Sequence, residues 1–250
     1  MDLTTIILLI IAGLIAGFIN TLAGSGSMIT LPLLIFLGLP ANVANGTNRI
    51  AIFLQSIVGL AKFQKKKVLH WKNGLRLSII ATVGAVFGAI TASQISAENM
   101  ETIIGILLFV MLFSIFLKPK KWMKEFEEDS ASKKIPWWNY LLFLGIGFYG
   151  GFIQMSTGIL ILVSLVLGAN YDLIRANALK LLIVILYTPF AIYIFYVNDQ
   201  INWEYGLVLA IGNIAGAWIA ASIALKKGVI LVRWVLIITV LASGVKLLFF

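Results

Sequence analysis

The sequence Gly13-Leu-Ile-Ala-Gly-Phe-Ile19 recurs 134 positions later as Gly147-Phe-Tyr-Gly-Gly-Phe-Ile153. Further matches follow in the same order at an offset of 132: Ala44-Asn45 with Ala176-Asn177, Trp71 with Trp203, Gly74-Leu75 with Gly206-Leu207, and Gly84-Ala85 with Gly216-Ala217. An ordered series of this length indicates an internal duplication. In a membrane protein, such a duplication is typical of a transporter whose site lies where the two halves meet.

The composition predicts a membrane protein. Hydrophobic residues make up 61% of the 250 residues, charged residues make up 12%, and the mean hydropathy is +1.03. Apolar runs of this chain are long enough for helices that cross a hydrocarbon core of about 30 Å. The chain has no cysteine, which excludes disulfides and cysteine-based metal sites. The apolar first 22 residues lack the basic start of a signal peptide, so we expect them to be retained.

The net charge of +9 is distributed along the chain in an alternating pattern. Basic residues crowd the loops at 62–76, 118–134 and 226–227, whereas the loops at 95–101 and 198–204 contain acidic residues and no basic ones. Because basic loops stay in the cytoplasm, this pattern predicts a multi-pass protein of the cytoplasmic membrane with both termini outside. A nucleic-acid partner would require a basic folded domain, and none is predicted. The partners we expect are the lipid bilayer and a small anionic substrate, and the chain is compatible with a homodimer.

Six segments have the length and hydropathy of crossing helices. They are 43–63, 75–94 and 99–117 in the first half, and 173–197, 204–224 and 229–249 in the second.

Two further segments, 4–40 and 137–170, each contain two apolar runs separated by small polar residues. The second run of each pair has about a dozen residues, which is short for a crossing. The surrounding loops require each pair to begin and end on the same side. We therefore predict two hairpins whose tips enter the membrane as broken or re-entrant helices.

These elements define the predicted fold class. It is an all-α polytopic membrane protein with two inverted-topology repeats, each made of a broken or re-entrant hairpin and three transmembrane helices. The first repeat covers 1–117, a cytoplasmic linker covers 118–136, and the second repeat covers 137–250.

The hairpin tips are the first candidates for a substrate site. Polar backbone at membrane depth is tolerated where it is buried in protein or lines a cavity. Backbone N–H groups at the start of a helix carry partial positive charge and suit an anion. The alternative is that the glycines serve close helix packing. The tip residues proposed to bind substrate are Gly24, Ser25, Gly26, Ser27, Ser156, Thr157 and Gly158.

Polar residues within the predicted helices are the second candidates. Arg49 and Lys180 lie seven to eight residues inside their helices, where a charge is costly and indicates function unless it snorkels to the interface. Asn45 corresponds to Asn177 under the 132-residue offset, and Asn48 corresponds to Lys180. We predict that these five residues complete the substrate site.

Several chemistries have no residues to support them. All ten acidic residues fall in or beside loops, and the single histidine, His70, lies in a basic loop. A proton relay through the membrane would normally use buried Asp, Glu or His. No HExxH motif or Ser-His pair is present. We therefore predict no catalytic residue, metal or cofactor.

Several motifs resemble those of the sulfite exporter TauE/SafE family of membrane permeases. They are Gly17-Phe-Ile-Asn-Thr-Leu-Ala-Gly-Ser-Gly-Ser27, Pro32-Leu-Leu, Ala44-Asn-Gly-Thr-Asn48, Gly150-Gly-Phe-Ile153, Arg175-Ala-Asn177, Lys180-Leu-Leu182 and Asp199-Gln-Ile-Asn-Trp203. The resemblance covers nearly the whole chain and implies export of sulfite or small organosulfonates. In one respect the chain departs from the family, whose tips are typically Gly-x-Gly-Gly-Gly. Here they read Gly24-Ser-Gly-Ser-Met28 and Met155-Ser-Thr-Gly-Ile159.

The resulting hypothesis is an exporter of small sulfur-containing anions that alternates access between its two halves. The alternatives are a transporter or channel for another small anion, such as sulfate or a carboxylate, and a membrane enzyme or assembly factor. The last would need a catalytic constellation or a sizeable soluble domain, and the sequence predicts neither.

Overall fold

The computed structural model describes residues 1–65, 71–114 and 136–225, and these residues form helices and no strands. The helices occur in the same order in both halves: a long helix, a short helix, then two long ones. We number them α1 (Leu3–Leu22), α2 (Ser27–Phe36), α3 (Ala41–Gln64), α4 (Trp71–Ser93), α5 (Ala97–Ser114), α6 (Trp137–Phe152), α7 (Thr157–Val163), α8 (Leu173–Val197) and α9 (Trp203–Leu225).

The predicted helices agree with the observed ones where the structure describes them. Segments 43–63, 75–94, 173–197 and 204–224 correspond to α3, α4, α8 and α9, and 99–117 corresponds to α5 up to Ser114. The predicted helix at 229–249 and nearly all of the linker at 118–136 lie outside the described residues.

Four of the described helices are long and apolar enough to cross a membrane: α1, α4, α8 and α9. Neither α3 nor α5 is among them, although we predicted both as crossing helices. The 24-residue α3 carries many polar residues. Fifteen of its residues are buried, including Asn45, Asn48, Arg49 and Gln55. The polarity of α3 is thus directed into protein rather than into lipid.

Both predicted hairpins are present as a long helix, a short non-helical tip and a short helix. In the first hairpin α1 leads through residues 23–26 into α2, which has 10 residues. In the second, α6 leads through residues 153–156 into α7, which continues as a π-helical turn over Ser164–Gly168. At 1.5 Å per residue, the second arms are about 15–18 Å long, about half of the hydrocarbon thickness.

The helix boundaries correct the register of the duplication within the hairpins. The helix after each tip starts at Ser27 and at Thr157, an offset of 130. The tip residues with positive φ, Gly24 (84°) and Gln154 (55°), show the same offset. The glycine motifs had indicated 134. The two offsets differ by four residues, about one helical turn. Because the glycines of α1 and of α6 are spaced four apart, the two helices match almost as well after a shift of one turn.

Two glycine-lined seams join the halves. Gly147 and Gly151 of α6 pack against the backbone of α4 at Ala81 and Ala85, where an added Cβ would overlap a carbonyl oxygen. Gly13 and Gly17 of α1 pack in the same way against Leu209 and Asn213 of α9. Small residues spaced four apart allow membrane helices to approach this closely. Each hairpin therefore packs against a helix of the other half, and α3 and α8 pack between them.

Candidate functional site

The C-terminal end of α6 is held by side chains of α3. The last four carbonyls of a helix have no partner within it. Arg49 donates from Nη1 to the Gly150 carbonyl (3.0 Å) and from Nη2 to the Gly151 carbonyl (2.7 Å). Asn45 donates from Nδ2 to the Phe152 carbonyl (2.8 Å). Three of the four terminal carbonyls of α6 are thus satisfied from the first half of the chain.

The C-terminal end of α1 is held in the same manner by α8. Lys180 Nζ donates to the carbonyls of Asn20 (2.9 Å) and Thr21 (2.8 Å), and to Oδ1 of Asn177 (2.8 Å). A lysine ammonium has three protons, so all of them are used. The end of a helix carries partial negative charge. The partial negative charge at the end of α1 therefore faces the ammonium of Lys180. Lys180 is 1% exposed and has no acidic partner among the described residues.

The guanidinium of Arg49 has more contacts than the ammonium of Lys180. Besides the two carbonyls, it donates to Oε1 of Gln154 (3.4 Å) and Oδ1 of Asn45 (3.3 Å). It also lies 4.6 Å above the ring of Phe195. Four of its five N–H groups are therefore bonded, and Nε lacks a partner among the described residues. Arg49 is fully buried.

The first tip touches the start of α7, directly after the second tip, and we call this the contact between tips. Gly24 lies against the backbone of Gly158 so closely that a Cβ on either residue would overlap the other. Gly24 also has a φ of 84°, a conformation that favours glycine. Glycine at this position is therefore required both by the backbone and by the contact between tips.

A narrow cavity lies beside this contact, between α3, α8, the C-terminal end of α1, and the second tip with the start of α7. Its volume open to a water-sized sphere is about 10 Å³, about the space that one water needs. It is therefore closed to a polyatomic anion in this conformation. The lining residues are Asn20, Ile52, Gln55, Ser56, Gln154, Thr157, Gly158, Lys180, Leu181, Val184 and Tyr187.

The lining is drawn from matching positions of the two halves. Ile52 and Gln55 of α3 correspond under the 132-residue offset to Val184 and Tyr187 of α8, and all four line the cavity. The cavity therefore lies where the two halves meet.

Polar groups around the cavity lack partners among the described residues. Two of them belong to lining residues, Oγ1 of Thr157 and Oε1 of Gln55; Oγ of Ser25 and of Ser156 also lack partners but lie in the tips, outside the lining. Tyr187 accepts a bond from Nε2 of Gln154 (3.2 Å), and its own proton has no acceptor among the described residues. Buried polar groups without partners are uncommon in native proteins and require an explanation. A polar ligand that visits the cavity would supply one.

The structure brings some of the predicted site residues together and separates others. Thr157, Gly158 and Lys180 line the cavity. Asn48 is instead bonded to Oγ1 of Thr30 (2.7 Å) within its own half. Arg49 does not line the cavity. The remaining predicted residues do not line the cavity. Gly24, Ser25, Gly26 and Ser156 lie in the tips, and Ser27 begins α2. Asn45 bonds to the end of α6, and Asn177 bonds to Lys180.

Sequence reasoning missed five polar lining residues: Asn20, Gln55, Ser56, Gln154 and Tyr187. Each lies in an apolar segment and carries no charge, so a search for buried charges passed over them. The duplication contained a signal, since Gln55 and Tyr187 are polar residues at matching positions of two apolar helices.

Comparison with known proteins decides the family. The profile of the sulfite exporter TauE/SafE family matches residues 9–247. The chain belongs to this family. It is therefore a membrane transporter by family, as the resemblance in its motifs predicted.

Curated relatives carry names that agree with this assignment. The chain is 27% identical to "Probable membrane transporter protein ORF9" of Sinorhizobium sp, over 96% of the chain and 91% of the relative. It is 27% identical to "Probable membrane transporter protein YfcA" of Escherichia coli K12, over 96% and 88%. It is 23% identical to "Probable membrane transporter protein YunE" of Bacillus subtilis, over 97% of both. No solved structure matches the chain.

Proposed function

We propose that this protein exports small sulfur-containing anions, such as sulfite or organosulfonates, across the cytoplasmic membrane. The observation that carries the proposal is the cavity at the contact between the tips, which combines a buried ammonium with unpartnered hydroxyl and amide groups. The family assignment supports transport, and the chemistry of the cavity supports an anion.

The polar groups of the cavity suit an anion because they can donate hydrogen bonds. Lys180 supplies a positive charge, and Thr157 and Tyr187 supply hydroxyl protons. Gln55 has an amide that can turn its N–H₂ toward a ligand. Among the described residues, no carboxylate lines the cavity. An anion would gain charge-assisted hydrogen bonds here, whereas a cation would be repelled by the ammonium of Lys180 and would find no carboxylate among these residues to offset it.

The closed cavity supports a carrier that alternates access. A polyatomic anion needs more space than one water, so binding requires the tips to separate. In the proposed cycle, parts of the two inverted repeats move relative to each other at the contact between tips and expose the cavity to one side at a time. An interior-negative membrane potential favours exit of an anion by about 2.3 kcal/mol per charge per 100 mV. Export therefore requires no intramembrane proton relay.

The test is a binding screen on purified protein. We expect sulfite or a small sulfonate such as sulfoacetate or taurine to raise the melting temperature, with sulfate and acetate as competing candidates. The increase should disappear in Thr157→Val, which removes the hydroxyl and keeps the shape, and should persist in Arg76→Met, whose side chain is exposed. If acetate alone stabilises the protein, the proposed substrate is a carboxylate and not a sulfur-containing anion. No stabilisation by any of these anions would refute the proposed site.

A further inference from the structure

The two hairpins are held unequally, although each is tied at its tip to the other half of the chain. The second tip is fixed by many bonds. Arg49 and Asn45 occupy the end of α6, and Gln154 donates from Nε2 to Tyr187 (3.2 Å) and Thr188 (3.3 Å). In addition, the Tyr149 hydroxyl donates to the Met155 carbonyl (2.8 Å).

This second tip also contains strained backbone. Gln154 and Ser156 have φ values of 55° and 57°, which side chains other than glycine adopt at a cost. Such conformations persist when the surrounding structure determines them fully. The bonds around the second tip are consistent with a rigid element.

The first tip has far fewer ties. Its helix α1 ends at the ammonium of Lys180, which donates to the carbonyls of Asn20 and Thr21. Lys180 lines the cavity, whereas Arg49 does not. An anion in the cavity would therefore compete with the Asn20 and Thr21 carbonyls for the protons of Lys180. It would not compete for those of Arg49.

The two glycine seams also differ, and again the first hairpin is the one that is held less firmly. Where α6 crosses α4, Gly147 faces Ala81. Where α1 crosses α9, Gly17 faces Asn213, which is 2% exposed and whose Oδ1 has no partner among the described residues. Ala81 and Asn213 are 132 positions apart. An unsatisfied amide oxygen in a helix seam costs free energy, so the seam between α1 and α9 is less strongly favoured than the seam between α6 and α4, which has alanine at the same position.

We propose that Lys180 is a positioning residue that couples anion binding to movement of the first hairpin, while the second hairpin stays fixed. The inference rests on the proposed function, because it needs an anion in the cavity. When the anion takes protons of Lys180, the end of α1 loses its tie and the α1–α2 hairpin moves along α9. Arg49 keeps the end of α6 in place throughout. Transport would then be asymmetric, despite the duplication.

The experiment measures two matched distances in the full-length protein by electron paramagnetic resonance. The first joins labels at Phe36, at the end of α2, and Glu204, at the start of α9. The second joins Leu167, at the end of the π-helical turn, and Lys72, at the start of α4. All four positions are exposed, and the chain has no native cysteine to replace. Thioether-linked labels are required, because sulfite cleaves disulfides.

With saturating sulfite or sulfoacetate, we expect the Phe36–Glu204 distance to shift by more than about 2 Å, beyond the usual 1–2 Å adjustment of packed helices. The Leu167–Lys72 distance should not shift. Lys180→Met should show the shifted Phe36–Glu204 distance without anion and no further change with it. Equal shifts in both pairs, or a shift in the second pair alone, would overturn the inference even if Lys180→Met failed to fold.

A thermal-stability measurement on the same samples separates this inference from the proposed function. If an anion stabilises the protein and neither distance changes, the anion site stands and the coupling through Lys180 is wrong. If no anion stabilises the protein and no distance changes, the proposed function itself fails, and the inference fails with it.

Discussion

Replacing Arg49 by methionine should destabilise the protein strongly, because this side chain completes the end of α6. The change keeps a long side chain and removes every donor. It leaves the carbonyls of Gly150 and Gly151 buried without the bonds of 3.0 and 2.7 Å that they now accept. It also removes the bonds to Asn45 and Gln154.

The magnitude follows from the two carbonyls. A buried polar group left without a partner costs about 1–3 kcal/mol, which gives about 2–6 kcal/mol for two. Hydrogen bonds within membrane proteins contribute less, about 0.6 kcal/mol on average, so we expect about 2–3 kcal/mol. Arg49→Lys should recover part of this loss, because lysine has three donors but lacks the planar fork of arginine.

The assay is reversible unfolding in mixed micelles with increasing denaturing detergent, followed by circular dichroism. Arg76→Met is the matched control, since Arg76 is exposed and its loss should change the free energy of unfolding by less than about 0.5 kcal/mol. If Arg49→Met unfolds at the same detergent fraction as Arg76→Met, Arg49 does not hold the end of α6, and the account of a fixed second hairpin is wrong.

Three further predictions test the seams, the cavity and the topology. Gly151→Ala should destabilise the fold by about 1–3 kcal/mol, because the added methyl group overpacks against Ala85. Gly145 faces open space, so Gly145→Ala should be neutral or stabilise the fold by up to about 1 kcal/mol. Unfolding in mixed micelles compares the two variants. Tyr187→Phe should weaken binding of the anion about 3- to 10-fold, because it removes one hydrogen bond worth about 0.5–1.5 kcal/mol. If titration calorimetry shows an unchanged affinity, Tyr187 is not part of the site. In intact cells, a membrane-impermeant thiol reagent should label a cysteine at Glu204 and not one at Lys72, and the opposite pattern would reverse the predicted orientation.

The sequence predicted the helices well because their length and hydropathy are local properties. Segment 173–197 and α8 have the same boundaries. The first tip was also predictable, because Gly24-Ser-Gly-Ser27 precedes an apolar run too short to cross. The second tip was predicted at Ser156-Thr-Gly158, but Thr157 and Gly158 already belong to α7, and the observed tip covers residues 153–156. The register of the duplication was less certain, since glycines four apart in α1 and α6 allow a match that is displaced by one turn.

The partners of the buried cations could not be predicted. Arg49 and Lys180 were recognised as costly charges, yet the groups that compensate them are carbonyls more than 100 residues away in the chain. A helix end has no sequence signature that specifies which side chain will cap it from another helix. The same limit applies to Gln55 and Tyr187, which become a site only when α3 and α8 meet.

The most direct test of the central claim is the flux of radiolabelled sulfite into proteoliposomes that contain the purified protein. The account predicts saturable uptake that shows counterflow and is accelerated by a potential positive inside the vesicle. Lys180→Met should reduce this uptake about 10- to 100-fold, because a hydrogen bond to a charged group is worth about 1.5–3 kcal/mol and 1.4 kcal/mol is tenfold. Lys72→Met, at an exposed position, should transport at the normal rate. Equal uptake by Lys180→Met and the unaltered protein would contradict an anion site at the contact between the tips.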